Sequence, residues 1–284
     1  MTQGCKICSA PGLEIVEHTA TCRSCGVLLF FPYPSQNDLE DSYAREHAPA
    51  AYWEQWYSQS ARLNHDNFTR MLRFACADLE FRDAPSILDY GGGGGQFAVV
   101  CKSHFPNAKV YIVDAVDGSL LPQWAPLQTQ IPFSEFPADD TRFDRIFLND
   151  VFEHVSDPKD TLVRLRNKLK PGGKIFIDTP KQFWLYPFTR LLAPSLHRKL
   201  LRGTVSLAHL QIWSRKSFEY VVRDAGLAIT RYRELSEYTQ PASFYLKNMK
   251  VSNPGLILAA RLFYRFSGYL AKNKIMAVLE RNLA

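Results

Sequence analysis

Five consecutive glycines constrain this chain more than any other feature of its sequence. Gly91 to Gly95 directly follow the apolar run Ser86 to Tyr90 and precede an apolar segment that begins at Gln96. This is the order of a strand, a tight turn and the start of a helix, in which glycine lets the backbone approach a ligand that a Cβ atom would exclude. A glycine run alone could be a flexible loop. The strand and helix patterns on its two sides indicate a ligand-binding turn instead.

The segments that follow alternate between strand and helix patterns. Val110 to Val113 form an apolar run that ends in Asp114, 25 residues after Asp89. A nucleotide-binding fold places the carboxylate for ribose hydroxyls at about this spacing. Helical patterning with aromatic residues precedes the first strand over about 39–81, and later segments predict a strand at 143–148, a helix at about 157–170, a turn at 171–173 and a strand at 174–178. The pattern predicts a Rossmann-like α/β fold with a doubly wound, mostly parallel sheet.

Four of the six cysteines have the spacing of a zinc ribbon. They form two Cys-x2-Cys pairs separated by 13 residues, namely Cys5, Cys8, Cys22 and Cys25. Four thiolates close a tetrahedral shell and leave no open position, so we predict a structural Zn²⁺. Two disulfides or inert thiols are the alternatives, and a cytosolic chain has little reason to form disulfides.

We divide the chain into four parts, with a zinc-ribbon module at 1–34 followed by a helical linker or cofactor cap at 35–84. The Rossmann-like domain takes 85–240, with a lid insert at 181–208, and a C-terminal strand and an amphipathic helix take 241–284. The N-terminus lacks a charged start followed by an apolar run, and no apolar run approaches the roughly 20 residues of a membrane span. We therefore expect a cytoplasmic protein. The C-terminal helix could lie on a membrane surface, cover a dimer partner or pack on its own domain.

The glycine segment carries a resemblance to a known family. The string ILDYGGGGG resembles the D-x-G-x-G-x-G motif of class I S-adenosylmethionine-dependent methyltransferases, with Asp89, Gly91, Gly93 and Gly95 in the matching positions. The segments FDRIFLNDVFEHVSDPKDTLVRLRNKLKPGGKIFIDTP and HLQIWSRKSFEYVVRDAGLAI resemble later parts of the same family, so the resemblance covers roughly 85–232.

The resemblance implies S-adenosylmethionine as the cofactor and a role for individual residues. Gly91 and Gly93 would accommodate its methionyl part, and Asp114 its ribose. Ala115 would meet the adenine edge, while Asn149 and Asp150 would line the methyl end. The chain departs from the family at Gln130, where an acidic residue is common.

An acid and histidine motif follows the third predicted strand. If 150–154 turn into a helix, Asp150 stands three and four residues before Glu153 and His154, so that all three share one face. Such a group could bind a divalent cation such as Mg²⁺ or tune a histidine as a general base. Together with His209, the spacing is similar to the E-x-x-E-H motif and later histidine of small-RNA 2′-O-methyltransferases, and ubiquinone-pathway O-methyltransferases have a related E-x-x-E-H. Asp150 replaces the first Glu, and packing of the helix is the alternative role for Glu153 and His154.

The predicted lid suggests the class of methyl acceptor. Aromatic residues over 183–188 and a basic patch at Arg198, Lys199 and Arg202 would suit a nucleotide-linked sugar or a phosphoglycan. A helical insert that packs on the core would have the same composition. We therefore expect O-methylation of a sugar or polysaccharide-precursor hydroxyl, with RNA methylation and a noncatalytic zinc- and cofactor-binding scaffold as alternatives. Nucleic acid is disfavoured because Lys and Arg do not cluster beside the cysteines.

Overall fold

A computed structural model describes most of the α/β domain and the cysteine module. The described residues are 4–35, 37–39, 41–42, 64–80, 83–114, 129–132, 140–182, 205–207, 209–237, 253–255, 257–259, 262 and 272–282. Most of the predicted lid and C-terminal amphipathic helix lies outside them. No helix within the described residues is long and apolar enough to span a membrane.

Seven strands within the described residues form the main sheet, namely β4 (Ser86–Tyr90), β5 (Lys109–Asp114), β6 (Thr129–Pro132), β7 (Phe143–Asn149), β8 (Leu169–Pro180), β10 (Leu227–Leu235) and β11 (Lys274–Arg281). Their order across the sheet is β10-β11-β8-β7-β4-β5-β6. The five strands from β8 to β6 are parallel, and β11 runs antiparallel between β8 and β10. The predicted Rossmann-like, mostly parallel sheet is confirmed.

Helices cover both faces of this sheet because its central strands are apolar on both sides. Successive residues of β4 divide between two hydrophobic cores, with Ile87 in one and Leu88 in the other. The helix α1 (64–75) and α2 (Gln96–His104) pack on the Ile87 side, while α3 (Pro158–Asn167) and α4 (Arg215–Asp224) pack on the Leu88 side. Because β4 pairs in parallel with both β5 and β7, the C-terminal ends of these three strands meet at one edge of the sheet.

Local capping fixes where α3 and α4 begin. The Asp157 carboxylate accepts a hydrogen bond from Asp160 N at 2.9 Å, and Pro158 occupies the first turn of α3, where a missing N–H costs nothing. Ser214 caps α4 in a reciprocal capping box with Ser217. The predicted helix at 157–170 is shorter in the structure, because β8 already begins at Leu169.

The predicted turn at 171–173 is a bulge within β8. The pairing of β8 with β7 jumps from Leu169 opposite Phe143 to Lys174 opposite Arg145. Gly172 provides the left-handed conformation at this point, with φ of 72°. The strand thus begins earlier than its apolar run suggests.

Within the described residues, the cysteine module forms a separate antiparallel sheet of four strands, which lie side by side in chain order. Its first three strands are β1 (Leu13–Val16), β2 (Thr19–Cys22) and β3 (Leu28–Phe30), and the fourth is β9 (Gln211–Ile212). In β9, Ile212 lies opposite Leu28 and Gln211 opposite Leu29. A strand from just before α4 therefore completes the N-terminal sheet.

Candidate active site

The glycine loop lies at the C-terminal end of β4, between β5 and the segment after β7. Gly91 N donates a hydrogen bond to Val113 O at 2.7 Å. Gly91 has φ of 76°, and a Cβ atom there would come within 2.4 Å of Val151 Cγ2. The close packing explains why this position requires glycine.

Asp114 ends β5 beside this loop. Its carboxylate Oδ2 accepts a hydrogen bond from Gly93 N at 2.6 Å, and the residue is 4% exposed. Asp89 lies beneath the loop and is 1% exposed. Burial, with a smaller contribution from the charge of Asp114, raises the pKa of Asp89 to about 8. Asp89 therefore holds its proton at neutral pH.

Replacing Asp89 with asparagine tests this assignment through the pH dependence of stability. The folded chain holds the Asp89 proton between about pH 4 and pH 8, where an unfolded Asp has lost it. Stability from this group is therefore complete at low pH and is lost as pH rises to about 8. We expect Asp89→Asn to raise the free energy of unfolding at pH 8 by about 1–3 kcal/mol. The gain should shrink toward pH 4.

Urea denaturation at pH 4.5, 6 and 8 measures that difference. Asp83→Asn is the control, because the Asp83 carboxylate accepts a hydrogen bond from Glu80 N in an exposed turn. A difference between wild type and Asp89→Asn that is the same at every pH would contradict the assignment.

Asn149 ends β7 on the same edge of the sheet. Its side-chain Oδ1 and Nδ2 are both buried and have no hydrogen-bond partner among the described residues. An amide group that is buried without partners is costly, so this position suits a polar ligand. The glycine loop for close approach, Asp114 for ribose hydroxyls and Asn149 for polar groups together fit S-adenosylmethionine. Ala115, predicted at the adenine edge, lies outside the described residues.

Glu153, His154 and His209 come together next to this edge. Thr179 Oγ1 donates a hydrogen bond to Glu153 Oε2 at 2.9 Å. His154 Nε2 lies 3.7 Å from Glu153 Oε1, and the rings of His154 and His209 are 5.1 Å apart. One ligand atom from each of the three residues lies within 4.8 Å of the others. Burial, followed by the charge of Asp150, raises the pKa of Glu153 to about 8.

Asp150 departs from the predicted geometry. The expected helix at 150–154 does not form, since Asp150 is left-handed with φ of 52° and 152–154 make a turn. The carboxylate of Asp150 forms an ion pair with Lys274 Nζ, and the group that could hold a metal ion contains Glu153 and the two histidines without Asp150. The predicted common face of Asp150, Glu153 and His154 was therefore wrong, because α3 begins only after the Asp157 cap.

Lys274 on β11 is a buried residue of the candidate site that the sequence did not reveal. Its ammonium group also donates to Asp178 Oδ2 at 2.7 Å, and the residue is 5% exposed. Although burial alone would lower it, the charges of Asp150 and Asp178 hold the pKa of Lys274 well above its usual value. Lys274 thereby fixes Asp150 next to Asn149. Thr179, which orients Glu153, was also missed, and no local pattern marks either residue.

The four cysteines converge in the N-terminal module as predicted. Cys5 Sγ lies 3.7 Å from Cys25 Sγ, and Cys8 Sγ lies 3.6 Å from Cys22 Sγ. A tetrahedral zinc site with Zn–S bonds of about 2.3 Å would separate its sulfurs by roughly 3.8 Å. Backbone N–H groups of Ile7 and Cys25 point at the sulfurs of Cys5 and Cys22. The cluster fits a structural zinc ion.

Comparisons with known proteins agree with this geometry. The model of a family described as a methyltransferase domain matches residues 52–232. Methyltransferase str3 of Strobilurus tenacellus is 28% identical over 134 residues, which are 45% of this chain and 45% of that protein. The trans-aconitate 2-methyltransferase of Azoarcus sp. (strain BH72) is 26% identical over 200 residues, covering 61% of this chain and 77% of that protein. The chain thus spans about half the length of the Strobilurus tenacellus relatives that it matches.

A solved structure shares the fold. The geranyl diphosphate C-methyltransferase of Streptomyces coelicolor A3(2), in complex with Mg²⁺, geranyl diphosphate and S-adenosyl-L-homocysteine, superposes with a TM-score of 0.55. The two chains are 16% identical, and the match covers 88% of this chain and 98% of the other.

Proposed function

This chain belongs to the methyltransferase domain family, and from this premise we propose that it transfers a methyl group from S-adenosylmethionine to a hydroxyl group of a sugar or polysaccharide precursor. The observation that carries the proposal is the contact of Glu153, His154 and His209 beside the predicted cofactor edge. A hydroxyl acceptor must lose a proton, and an imidazole suits that task near neutral pH.

We assign cofactor binding to the glycine loop and to the C-terminal ends of β5 and β7. Asp114 would accept hydrogen bonds from the ribose hydroxyls, and the Asn149 amide would hold polar groups near the methyl end. The bound cofactor supplies a methyl group already activated on a sulfonium. The protein therefore has to align the acceptor, and proximity provides much of the acceleration.

The two histidines have different roles toward the acceptor hydroxyl. His154 has a side chain that is 33% exposed and lies against the buried carboxyl of Glu153. An imidazolium that forms at His154 would favour the carboxylate form of Glu153, which in turn stabilises that charge. Thr179 keeps Glu153 in place through its hydrogen bond. We assign the base to His154 and acceptor contact to His209.

The choice of a sugar acceptor rests on composition. The segment 183–202 carries aromatic side chains that stack on sugars and basic groups that suit phosphates. Purified, zinc-replete protein should therefore transfer label from methyl-labelled S-adenosylmethionine to a nucleotide sugar within a panel that also contains RNA and simple phenols. Transfer to RNA alone would favour the RNA methyltransferase, and cofactor binding without transfer to any hydroxyl would favour the scaffold.

A divalent cation at Glu153, His154 and His209 is a second way to activate the hydroxyl. The observation that favours it is the distance of at most 4.8 Å between their ligand atoms. Two imidazoles and one carboxylate suit Mn²⁺, Fe²⁺ or Zn²⁺ better than the Mg²⁺ expected from the sequence. If the cation operates, mild EDTA treatment that leaves the ribbon zinc in place should abolish turnover, and Mn²⁺ should restore it.

The cysteine cluster is assigned a structural zinc ion. We further propose a cytoplasmic location, where reduced thiols remain available to the metal. We also propose that any membrane contact of the C-terminal segment 254–272 is peripheral, with the segment lying on the membrane surface.

A further inference from the structure

The zinc ribbon and the acid–histidine cluster share one short strand. Strand β9 is the outer strand of the ribbon sheet, and His209 lies two residues before it. We propose that the zinc ribbon supports the acceptor half of the site, which consists of Glu153, His154 and His209. Gln211 is the positioning residue that holds Glu153 and His154 in place. The inference rests on the proposed function, because it concerns the regulation of the same site.

The residues of β9 hold the turn that presents Glu153 and His154. Glu153 O accepts hydrogen bonds from Leu210 N at 2.9 Å and from Gln211 N at 3.3 Å. The side-chain amide of Gln211 donates to both Phe152 O and Val155 O at 2.9 Å. Gln211 is 3% exposed, so water cannot replace these bonds when they are lost. One buried amide thus ties both ends of the turn to β9.

The ribbon in turn holds β9. Beyond the pairing of β3 with β9, Phe30 N donates to Leu210 O at 2.8 Å. Ser214 Oγ, just after β9, donates to the carbonyl of the zinc-ligand candidate Cys25 at 2.6 Å. Lys6 Nζ, between the first two cysteines, donates to Ser156 O at 3.0 Å. The cysteine loops therefore contact both segments that carry the cluster, namely the one with Glu153 and His154 and the one that follows His209.

Aromatic packing adds a rigid support behind the turn. The ring of Phe152 stacks on Trp213 with a centroid distance of 4.8 Å and an angle of 12°. Both side chains are fully buried. A shift of β9 would carry Trp213 with it and would displace Phe152, and hence Glu153 and His154. The glycine loop and Asp114 instead continue directly from β4 and β5, which pair with each other, although Gly91 also packs against Val151.

The consequence is that zinc affects the two halves of the site unequally. Without the metal, nothing links the four cysteine side chains, so the cysteine loops lose their cross-link and β9 loses its support. The acceptor half loses its geometry, while the cofactor half keeps its own strands. Zinc occupancy would thus control turnover without controlling cofactor binding.

Gln211→Met tests the positioning role, because methionine fills the volume without donating to the two carbonyls. We expect kcat to fall about tenfold or more, KM for the acceptor to change less, and the Kd for S-adenosylhomocysteine to stay within about twofold. In spectra of histidine-labelled protein, the ring resonances of His154 and His209 should move. Lys216→Met is the matched control, because it removes a ribbon contact to Ser24 O that does not involve β9. It should leave kcat and the ring resonances unchanged.

Zinc removal from the wild-type chain with a chelator provides the second arm. We expect turnover to disappear and to return with Zn²⁺, while S-adenosylhomocysteine still binds. Unmoved histidine resonances in Gln211→Met would overturn the inference, as would parallel loss of cofactor binding and turnover on zinc removal. The histidine spectra need no methyl acceptor, so they decide the inference even if the proposed acceptor class fails.

Discussion

Replacing His154 with alanine should reduce kcat by about 10²–10⁴-fold while the affinity for S-adenosylmethionine stays within about twofold. General-base catalysis by a positioned side chain contributes a factor of this size. His154 is the histidine in contact with the buried Glu153 carboxyl, 3.7 Å away. The cofactor half does not depend on this ring, because its residues come from β4, β5 and β7. Single-turnover methyl transfer and calorimetry measure the two quantities separately.

A histidine far from the cluster is the control for this substitution. His104 ends α2, where its Nδ1 lies 3.1 Å from Val100 O. His104→Ala should lose some stability and keep kcat. His209→Ala should show a smaller loss of kcat than His154→Ala and a higher KM, since we assign it to acceptor contact. Undiminished turnover in both His154→Ala and His209→Ala would remove the acid–histidine cluster from the mechanism.

Gly91→Ala should weaken S-adenosylmethionine binding by about 100-fold. Its φ of 76° costs an L-residue about 1–2 kcal/mol. The added Cβ would also come within 2.4 Å of Val151 Cγ2, so the loop must move away from β7. Crowding of this kind adds typically 1–3 kcal/mol. Isothermal titration measures the loss.

Gly172→Ala separates crowding from backbone strain. Gly172 has φ of 72°, close to that of Gly91, but a Cβ atom there would meet nothing within 4 Å. It lies in the bulge of β8, away from the glycine loop. The control variant should lose a similar 1–2 kcal/mol of stability from strain alone and should bind cofactor like wild type. Equal affinities in Gly91→Ala and wild type would contradict the role of the glycine loop.

The sequence predicted those parts of the fold that depend on local signals. The glycine run after 86–90, the acid at the end of the next strand and the helix start near residue 157 each depend on signals within a few residues. The cysteine spacing likewise predicted the convergence of its four sulfurs. Such patterns predict strands, turns and caps because the relevant forces act between neighbours in the chain.

The remaining features depend on contacts between distant residues. Lys274 and Asp150 are 124 residues apart, and neither carries a local pattern that marks the ion pair. The pairing of β9 with the ribbon is equally long-range, since it joins Leu28 to Ile212. The helix expected at 150–154 failed for a different reason. A spacing of three and four residues also occurs in a turn, and only the Asp157 cap shows where α3 begins.

Calorimetric titration of the zinc-replete protein with S-adenosylmethionine, S-adenosylhomocysteine and NAD tests the central claim most directly. The account predicts saturable binding of the first two and none of NAD. It also predicts a loss of roughly 10–100-fold in Asp114→Ala, because the carboxylate that would hold the ribose hydroxyls is gone. Preferential binding of NAD, or equal affinity of wild type and Asp114→Ala for S-adenosylmethionine, would contradict it.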